Sequence, residues 1–300
     1  MEGSPIHRVA VVGTGTLGTQ IAAQAVRHGC TVTAYDPEPA AFEEAVARVL
    51  PLVARAQGRT GVSPEAWEEA VRRVRRCADL EAALQGAELV IEAVPEDLAL
   101  KRQVFAAVDA LVSAHVLLAT NSSSIPVSRL ESAAAHPERC LNLHFYLPAL
   151  GMDMVDVMGG TRTTAQAMEA AKAWVRAIGC VPLTVHKEVL GFCFNRVWRA
   201  VKRETLWLWA NGVVDLRDVD RAWMIFTGMD RGPFGLMDSI GLDVVCDIEE
   251  VYHQESGDPR DAPPEALRAM VERGELGMKT GRGFYTYPDP EYARPGFLRG

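Results

Sequence analysis

Four side chains of this sequence, Ser123, His144, Asp156 and Asn195, have the types and the spacing for proton transfer. His144 lies on one predicted strand, Cys140 to Tyr146, and Asp156 on the next, Met154 to Met158. A histidine titrates near neutrality, so it can take a proton and give it back. A carboxylate on its far nitrogen would fix the tautomer and stabilise the imidazolium that forms. Ser123 and Asn195 can aim a hydroxyl and an amide dipole at an oxygen whose charge changes during reaction. The chemistry that fits is oxidation of a secondary alcohol, in which the hydroxyl proton goes to the imidazole while a hydride leaves the carbon. No covalent nucleophile is needed.

The same residues have quieter readings. Leu141-Asn-Leu-His-Phe145 is an apolar strand, where a single histidine is ordinarily a satisfied core residue. Asp156 alternates with Val155 and Val157, the pattern of a solvent-facing strand position. Ser123 and Asn195 stand where either could cap a helix. Chemistry is favoured only if a hydride acceptor binds nearby, and the amino-terminal segment supplies a site for one.

That segment, Arg8-Val-Ala-Val-Val-Gly13-Thr-Gly15-Thr16-Leu17-Gly18, is a β-branched run feeding a G-x-G-x-x-G turn, followed by Ile21, Ala22, Ala25 and Val26 at helical spacing. Gly13 permits the tight turn, Gly15 lets a pyrophosphate approach the backbone, and Gly18 lets the helix pack close to the strand. Thr16 and Leu17 complete the phosphate loop at the helix N-terminus. A second strand, Thr31 to Asp36, ends in an acid that can hydrogen-bond an adenosine ribose. The charge of Asp36 repels a 2′-phosphate, so the expected cofactor is NAD rather than NADP. As the residue before Pro37, Asp36 also suits a turn or a helix cap.

At 300 residues the chain suits two domains rather than one. A net charge of −8 with no basic tail excludes a nucleic-acid partner on electrostatic grounds. No apolar run is long enough to span a bilayer, which argues against a membrane partner. Met1 to His7 has neither a signal-peptide core nor an Arg-rich presequence, so a cytoplasmic location is the expectation. Cys30, Cys77, Cys140, Cys180, Cys193 and Cys246 form no C-x-x-C pair, and the seven histidines show no H-x-x-x-H spacing. Reduced thiols and no metal are expected.

Beyond Asp36 an Ala- and Glu-rich helical stretch is predicted from Pro39 to about Arg76, then a strand over Glu88 to Val94, a helix from Asp97 to Val112 and a strand from Val116 to Asn121. After the two strands bearing His144 and Asp156, a helix from Thr164 to Ile178 and a strand from Cys180 to His186 follow. Alternation of strand and helix implies an α/β fold with a doubly wound, mostly parallel sheet. Around Lys187 the pattern turns helical, beginning with Phe194, Val197, Trp198, Val201 and Leu208 on one face and stopping at Asn211-Gly212. The expected domains are therefore 1–187 and 188–300. The run Arg72, Arg73, Arg75, Arg76 reads as a solvated helix end, with a substrate phosphate as the sharper alternative.

Five further motifs, Thr120-Asn-Ser-Ser-Ser124, Leu143-His-Phe145 with Pro148, Gly191-Phe-Cys-Phe-Asn-Arg196, Gly232-Pro-Phe-Gly-Leu-Met-Asp238 and Lys279-Thr-Gly-Arg-Gly-Phe-Tyr285, occur in the order seen in the L-3-hydroxyacyl-CoA dehydrogenases. The chain resembles that family, in its 3-hydroxybutyryl-CoA dehydrogenase branch, over nearly its whole length. The resemblance implies a Rossmann domain followed by an all-helical substrate domain that makes a homodimer, an active site in the cleft between them, and a place in fatty acid metabolism. It matches His144 to the family's catalytic base, Asp156 to the base's acidic partner, and Ser123 and Asn195 to contacts of the substrate oxygen. It puts Glu96, Lys101, Asn121, Ser123 and Lys279 near the NAD.

The chain also departs from the family. Leu147 replaces the usual Asn after His-Phe-aromatic and can neither donate nor accept a hydrogen bond. Asp156 is one methylene shorter than the expected Glu, so the backbones must approach by about 1.5 Å or a water must bridge. Asp153 stands where a basic residue is common. The resemblance therefore implies NAD-dependent oxidation of the 3-hydroxyl of an L-3-hydroxyacyl-CoA, with two alternatives. One is a non-CoA 3-hydroxy acid as substrate, as in the related gulonate and carnitine dehydrogenases. The other is a dinucleotide-binding protein without catalysis. Arg55, Arg59 and the Arg72 to Arg76 run are the cations available for CoA phosphates.

Overall fold

The computed structural model describes residues 6–150 and 154–300; Asp153 and the side chain of Arg59 lie outside the described residues. The chain divides into two compact units, Met1–Cys193 and Phe194–Gly300. The division falls a little beyond Lys187, because Phe192 and Cys193 contact His144 and Asp156 of the first unit.

In the first unit β1 (Arg8–Val12), α1 (Thr16–Arg27), β2 (Thr31–Tyr35), α2 (Ala41–Thr60), α3 (Pro64–Arg72), β3 (Arg75–Cys77), α4 (Leu80–Leu84), β4 (Leu89–Glu92), α5 (Leu98–Leu111), β5 (Leu117–Thr120), β6 (Cys140–Phe145), β7 (Met154–Gly159), α6 (Ala165–Ala177) and β8 (Val181–Val185) follow in order. The eight strands form one sheet in the order β3-β2-β1-β4-β5-β6-β7-β8. All neighbours are parallel except β6 and β7, so β7 and β8 run against the rest. This is the doubly wound, Rossmann-type sheet the alternation implied.

Side-chain alternation divides each strand between two cores. Val9 and Val11 join Leu141, Leu143, Phe145, Val155 and Val157 under α1, α2, α3 and α6, while Ala10 and Val12 join Val90, Leu118 and Cys140 under α4 and α5. Each buried Leu, Val or Phe stabilises the unit by roughly 1.5–3 kcal/mol. Leu143 and Phe145 therefore commit β6 to one register, and Asn142 and His144 to the opposite face.

The stretch Pro39 to Arg76 is not one helical run. Gly61 closes α2 in a left-handed conformation (φ 66°), and Ser63, accepting from the Ala66 N–H at 3.2 Å, starts α3 with Pro64 at its first position. Arg75–Cys77 is the edge strand β3, paired with Thr33–Tyr35. Only Arg72 of the arginine run belongs to a helix; Arg75 and Arg76 put charge on a sheet edge, where it discourages further strand pairing. Asp97 caps α5 through the Leu100 N–H at 2.7 Å.

The second unit is helical: α7 (Phe194–Ala210), α8 (Leu216–Thr227), α9 (Pro233–Ile240), α10 (Leu242–Ser256) and α11 (Glu265–Glu272) surround a core of Leu206, Met224, Phe234, Met237, Leu242, Val245 and Leu267. Two buried aspartates tie its motifs together. Asp220 accepts from the Phe234 and Gly235 N–H groups at 2.8 and 3.0 Å, and from the Tyr285 hydroxyl at 3.0 Å. Asp238 accepts from the N–H groups of Phe284 and Tyr285, both at 2.9 Å, and from the Tyr287 hydroxyl at 3.0 Å. Among the described residues no helix is long and apolar enough to cross a membrane.

Candidate active site

β1, β4, β5 and β6 run in one direction, so their carboxyl ends share one edge of the sheet. The order reverses between β1 and β4, and the crevice outside that switch point is where such sheets take their ligands. The glycine turn lies there. Gly13 (φ 98°) donates to the Tyr35 carbonyl at 2.8 Å, and a Cβ on it would meet the Ala93 carbonyl carbon at 2.7 Å. A Cβ on Gly18 would overlap the Gly13 carbonyl oxygen. Gly15 is different: it caps α1 in extended conformation, and a Cβ on it would have nothing within 4 Å.

Gly13 and Gly18 are thus required by the protein's own packing, and Gly15 keeps open a space the protein does not fill. Helix α1 has no side-chain cap and no acidic residue in its first turn, so its leading N–H groups are available to an anion. Thr16 and Leu17 are half-buried in that turn, and the Thr16 hydroxyl accepts from Arg48 at 3.3 Å. Asp36, at the end of β2, accepts from the Thr14 N–H at 2.7 Å and the Glu38 N–H at 3.1 Å. It therefore serves as a turn residue that pins the phosphate loop. Its two oxygens offer about four acceptor sites, which leaves capacity for a ribose hydroxyl. These residues fit a dinucleotide: α1 and Gly15 for the pyrophosphate, Asp36 for the ribose.

The ends of β4 and β5 are held by a chain of ionised groups. Glu92 and Lys101 are almost wholly buried and lie 2.7 Å apart; Lys101 also donates to the Val94 carbonyl at 3.0 Å and lies 3.3 Å from Glu96. The Thr120 hydroxyl donates to the second Glu92 oxygen at 2.7 Å. Burial pushes the Glu92 carboxyl up against the opposing pull of Lys101. At Glu96 burial also acts to raise the carboxyl, but the Ser122 hydroxyl, Lys101 and Ser124 outweigh it and hold the group below the usual glutamate range. One Glu96 oxygen accepts from the Ser122 hydroxyl at 2.6 Å and from the N–H groups of Ser123 and Ser124 at 3.1 and 2.9 Å. Ser122, not Ser123, caps the next turn, through the Ile125 N–H at 2.7 Å. The Ser123 hydroxyl is left exposed, 3.5 Å from Glu96. Asn121 is buried and accepts the Phe145 N–H at 2.9 Å, which ties the serine loop to the end of β6.

His144 and Asp156 are direct cross-strand partners of β6 and β7. His144 Nδ1 lies 3.1 Å from Asp156 Oδ2, so the shorter acid reaches the imidazole without a bridging water. Asp156 is fully buried, not solvent-facing, and His144 is 4% exposed. The Tyr146 hydroxyl donates to the same Oδ2, and the Cys193 N–H lies 3.4 Å from Oδ1. Phe192 stacks on the imidazole, 4.8 Å between centroids and 7° between planes, and Tyr146 meets it edge-on at 4.5 Å. Phe192 holds φ 50°, a strained value for a bulky residue, which the packing of its ring sustains. The acid meets the imidazole at Nδ1, so Nε2 is the ring nitrogen turned away from it. Leu147 is 56% exposed.

Neither Tyr146 nor Phe192 stands out as a site residue in the sequence. Tyr146 carries a signal, since it is two residues from His144 and so shares its side of the strand path. Phe192 carries none. Asn195 and Lys279 belong to the second unit. Asn195 is half-buried in the first turn of α7, and Lys279 is half-exposed and bonded to Asp243 at 2.6 Å. Gly277 and Gly283 pack on Asp238, so the Lys279-to-Tyr285 motif shapes a turn in that unit. Among the described residues no group of three His, Cys, Asp or Glu could hold a metal.

The pattern of the family described as 3-hydroxyacyl-CoA dehydrogenase, NAD binding domain, matches residues 8–189, and that of its C-terminal domain matches residues 191–287. The chain is 33% identical over 286 residues to 5-formyl-3-hydroxy-2-methylpyridine 4-carboxylate 5-dehydrogenase of Mesorhizobium japonicum, covering 94% of this chain and 91% of the relative. It is 31% identical over 284 residues to the probable 3-hydroxybutyryl-CoA dehydrogenase of Bacillus subtilis, covering 95% and 98%. The crystal structure of FadB2 from M. tuberculosis superposes with a TM-score of 0.83 at 32% identity, covering 95% of this chain and all of that one. Both halves of the family pattern are matched in order, along with the open glycine cradle for a dinucleotide. The chain therefore belongs to the 3-hydroxyacyl-CoA dehydrogenase family of NAD-dependent oxidoreductases.

Proposed function

We propose that the chain catalyses the reversible oxidation of the 3-hydroxyl of an L-3-hydroxyacyl-CoA to the 3-oxo thioester, with His144 as general base. The observation that carries this reading is the buried His144–Asp156 pair, whose approach of 3.1 Å at Nδ1 orients the imidazole and leaves Nε2 turned away from the acid. Bound NAD supplies the hydride acceptor. His144 takes the hydroxyl proton as negative charge leaves the carbon, and Asp156 stabilises the imidazolium. In the reverse direction the imidazolium returns that proton to the oxygen. Ser123 donates its exposed hydroxyl to the substrate oxygen from a loop fixed by Glu96, and Asn195 is the second dipole. Glu96, Lys101 and Asn121 set the loop beside the cofactor, with Lys279 as a further cofactor-side cation.

The test is NADH oxidation with acetoacetyl-CoA, where His144→Ala should lower kcat by about 10²–10⁴-fold. Parental turnover in that variant refutes the assignment. A second reading, a non-CoA 3-hydroxy acid as substrate, is favoured by the departures at Leu147 and Asp156 and by the relative named for a pyridine carboxylate. Faster turnover of free 3-oxo acids than of their thioesters would select it. Tight NADH binding with no turnover across both classes would point instead to a non-catalytic role.

The protein is expected to work as a homodimer through its second unit. On α10, Val244, Ile248 and Val251 are each 37–41% exposed at helical spacing, and on α8 Ile225 and Phe226 are 60% and 92% exposed. Exposed apolar side chains repeated along one helix are what a second copy would cover. Sedimentation at the mass of one chain contradicts this.

A further inference from the structure

Asp156 is a short acid sealed from solvent, and one of its oxygens serves two partners. Its Oδ2 faces His144 Nδ1 at 3.1 Å and accepts the Tyr146 hydroxyl; its Oδ1 has the Cys193 N–H at 3.4 Å. With no exposure, the carboxylate has no bulk water to make up a lost donor, so the Tyr146 hydroxyl is a principal restraint on its rotation about χ2. The phenol ring simultaneously meets the imidazole edge-on at 4.5 Å while Phe192 covers a face. Tyr146 therefore touches both members of the pair, the acid through its hydroxyl and the base through its ring.

We propose that Tyr146 is a positioning residue that acts on the His144 base through Asp156, its hydroxyl tempering the charge that the carboxylate presents at Nδ1. This rests on the reading of His144 as the base. A hydroxyl that donates to Oδ2 withdraws part of the negative charge that would otherwise stabilise the imidazolium. The imidazole then gives up its proton more readily in the reductive direction. The groups around it are accounted for: β7 contributes Asp156, the segment after β6 contributes Tyr146, and the segment before α7 contributes the Phe192 ring and the Cys193 N–H. The loop after β5 brings Asn121, and behind it Glu96 and Lys101, which are engaged with each other and with the serines. Conserving the ring while deleting the hydroxyl isolates the effect.

The experiment compares Tyr146→Phe with the parent by steady-state kinetics on acetoacetyl-CoA and NADH across pH, and by NMR titration of the His144 imidazole, which needs no turnover. In Tyr146→Phe, kcat falls about tenfold, equivalent to about 1.4 kcal/mol of barrier. The KM for NADH is unchanged, and the alkaline limb of the kcat/KM profile, where the imidazolium loses the proton it must donate in this direction, moves to higher pH together with the imidazole titration midpoint. A parental midpoint overturns the proposal, whether or not the variant loses thermal stability; so does a parental kcat with a parental profile. If Tyr146→Phe behaves as the parent while His144→Ala is inactive, only the role of Tyr146 is wrong. If His144→Ala keeps parental turnover, the base assignment fails and takes this inference with it.

Discussion

Alanine substitution at the three glycines of the phosphate loop should separate packing from ligand binding. Gly18→Ala drives a methyl into the Gly13 carbonyl oxygen, backbone that cannot swing aside like a side chain. Overpacking of this kind costs about 1–3 kcal/mol. Gly13→Ala adds to a similar overlap with Ala93 a left-handed backbone at φ 98°, which costs an L-residue about 1–2 kcal/mol more. Gly15→Ala meets nothing within 4 Å and keeps an ordinary backbone (φ −63°, ψ −170°). Restricting the unfolded chain there should even stabilise the ligand-free protein by about 0.4–1 kcal/mol. For a unit of this size each kcal/mol moves Tm by about 2–4 °C. Gly18→Ala is therefore expected to melt between about 2 and 12 °C lower, and Gly15→Ala no lower than the parent. NADH affinity reverses the ranking for Gly15→Ala, because its methyl occupies the space left for the pyrophosphate. Its Kd for NADH, read from nicotinamide fluorescence, should rise at least about tenfold, or 1.4 kcal/mol. The reasoning fails if Gly15→Ala destabilises the ligand-free protein as Gly18→Ala does, or if it binds NADH with parental affinity.

Four further outcomes are expected. Lys101→Met leaves Glu92 buried without its cation and should destabilise the protein by about 3–5 kcal/mol in chemical denaturation; a loss under about 1 kcal/mol, the typical effect of an arbitrary substitution, contradicts the buried pair. Because Glu96 is held below its ordinary value, its contribution is fully present above the unfolded-state value and is lost as pH falls through the folded-state one; Glu96→Gln should flatten that acid-side loss. Asp220 behaves oppositely. Burial, against the opposing donors of Phe234, Gly235 and Tyr285, pushes it from 3.8 to about 6, so its contribution is complete below 3.8 and is lost as pH rises through 6. Over that window the stability of the parent should fall by about 3 kcal/mol relative to Asp220→Asn, at 1.36 kcal/mol per unit, and a constant difference would show that the group does not titrate there. Asp156→Asn should cut kcat by about 10²-fold or more with little change in NADH affinity, as expected when the imidazole loses the acid that fixes its tautomer; a variant that loses both equally has lost its fold instead.

Much of the fold is legible in the sequence because its elements are long or strongly patterned. The strands β1, β4 and β5 appear as nearly continuous apolar runs because both faces of a parallel sheet are covered. The edge strand β3 is hidden for the converse reason: Arg75 and Arg76 give it the composition of a helix surface, and only its pairing with Thr33–Tyr35 makes it a strand. Likewise α4 is a single turn fixed by the Asp79 cap, too short to carry a helical period. At the site, the glycines and the His144–Asp156 pair can be found by type and spacing. The stack of Phe192 depends on a positive φ in a connection between two units, a conformation that no local pattern announces.

The position of the serine loop is set from deep inside the sheet rather than from the surface. Ser123 stands exposed, yet its N–H is held by Glu96, Glu96 is paired with Lys101, and Lys101 is locked onto Glu92 at the end of β4. The loop is held from its other side by Asn121, through the N–H of Phe145, one residue from His144. A substitution at Lys101 should thus disturb the serine proposed to meet the substrate oxygen, although the lysine itself is 1% exposed. Flexible surface serines would lose orientation entropy each time they bound an oxygen; here that ordering is already fixed in the folded chain, the condition under which a donor aimed at developing charge stabilises it most. Departures at Leu147 and Asp156 leave this support untouched, since neither residue belongs to it. The altered half of the site therefore changes what is presented to the histidine without loosening what holds the loop beside it.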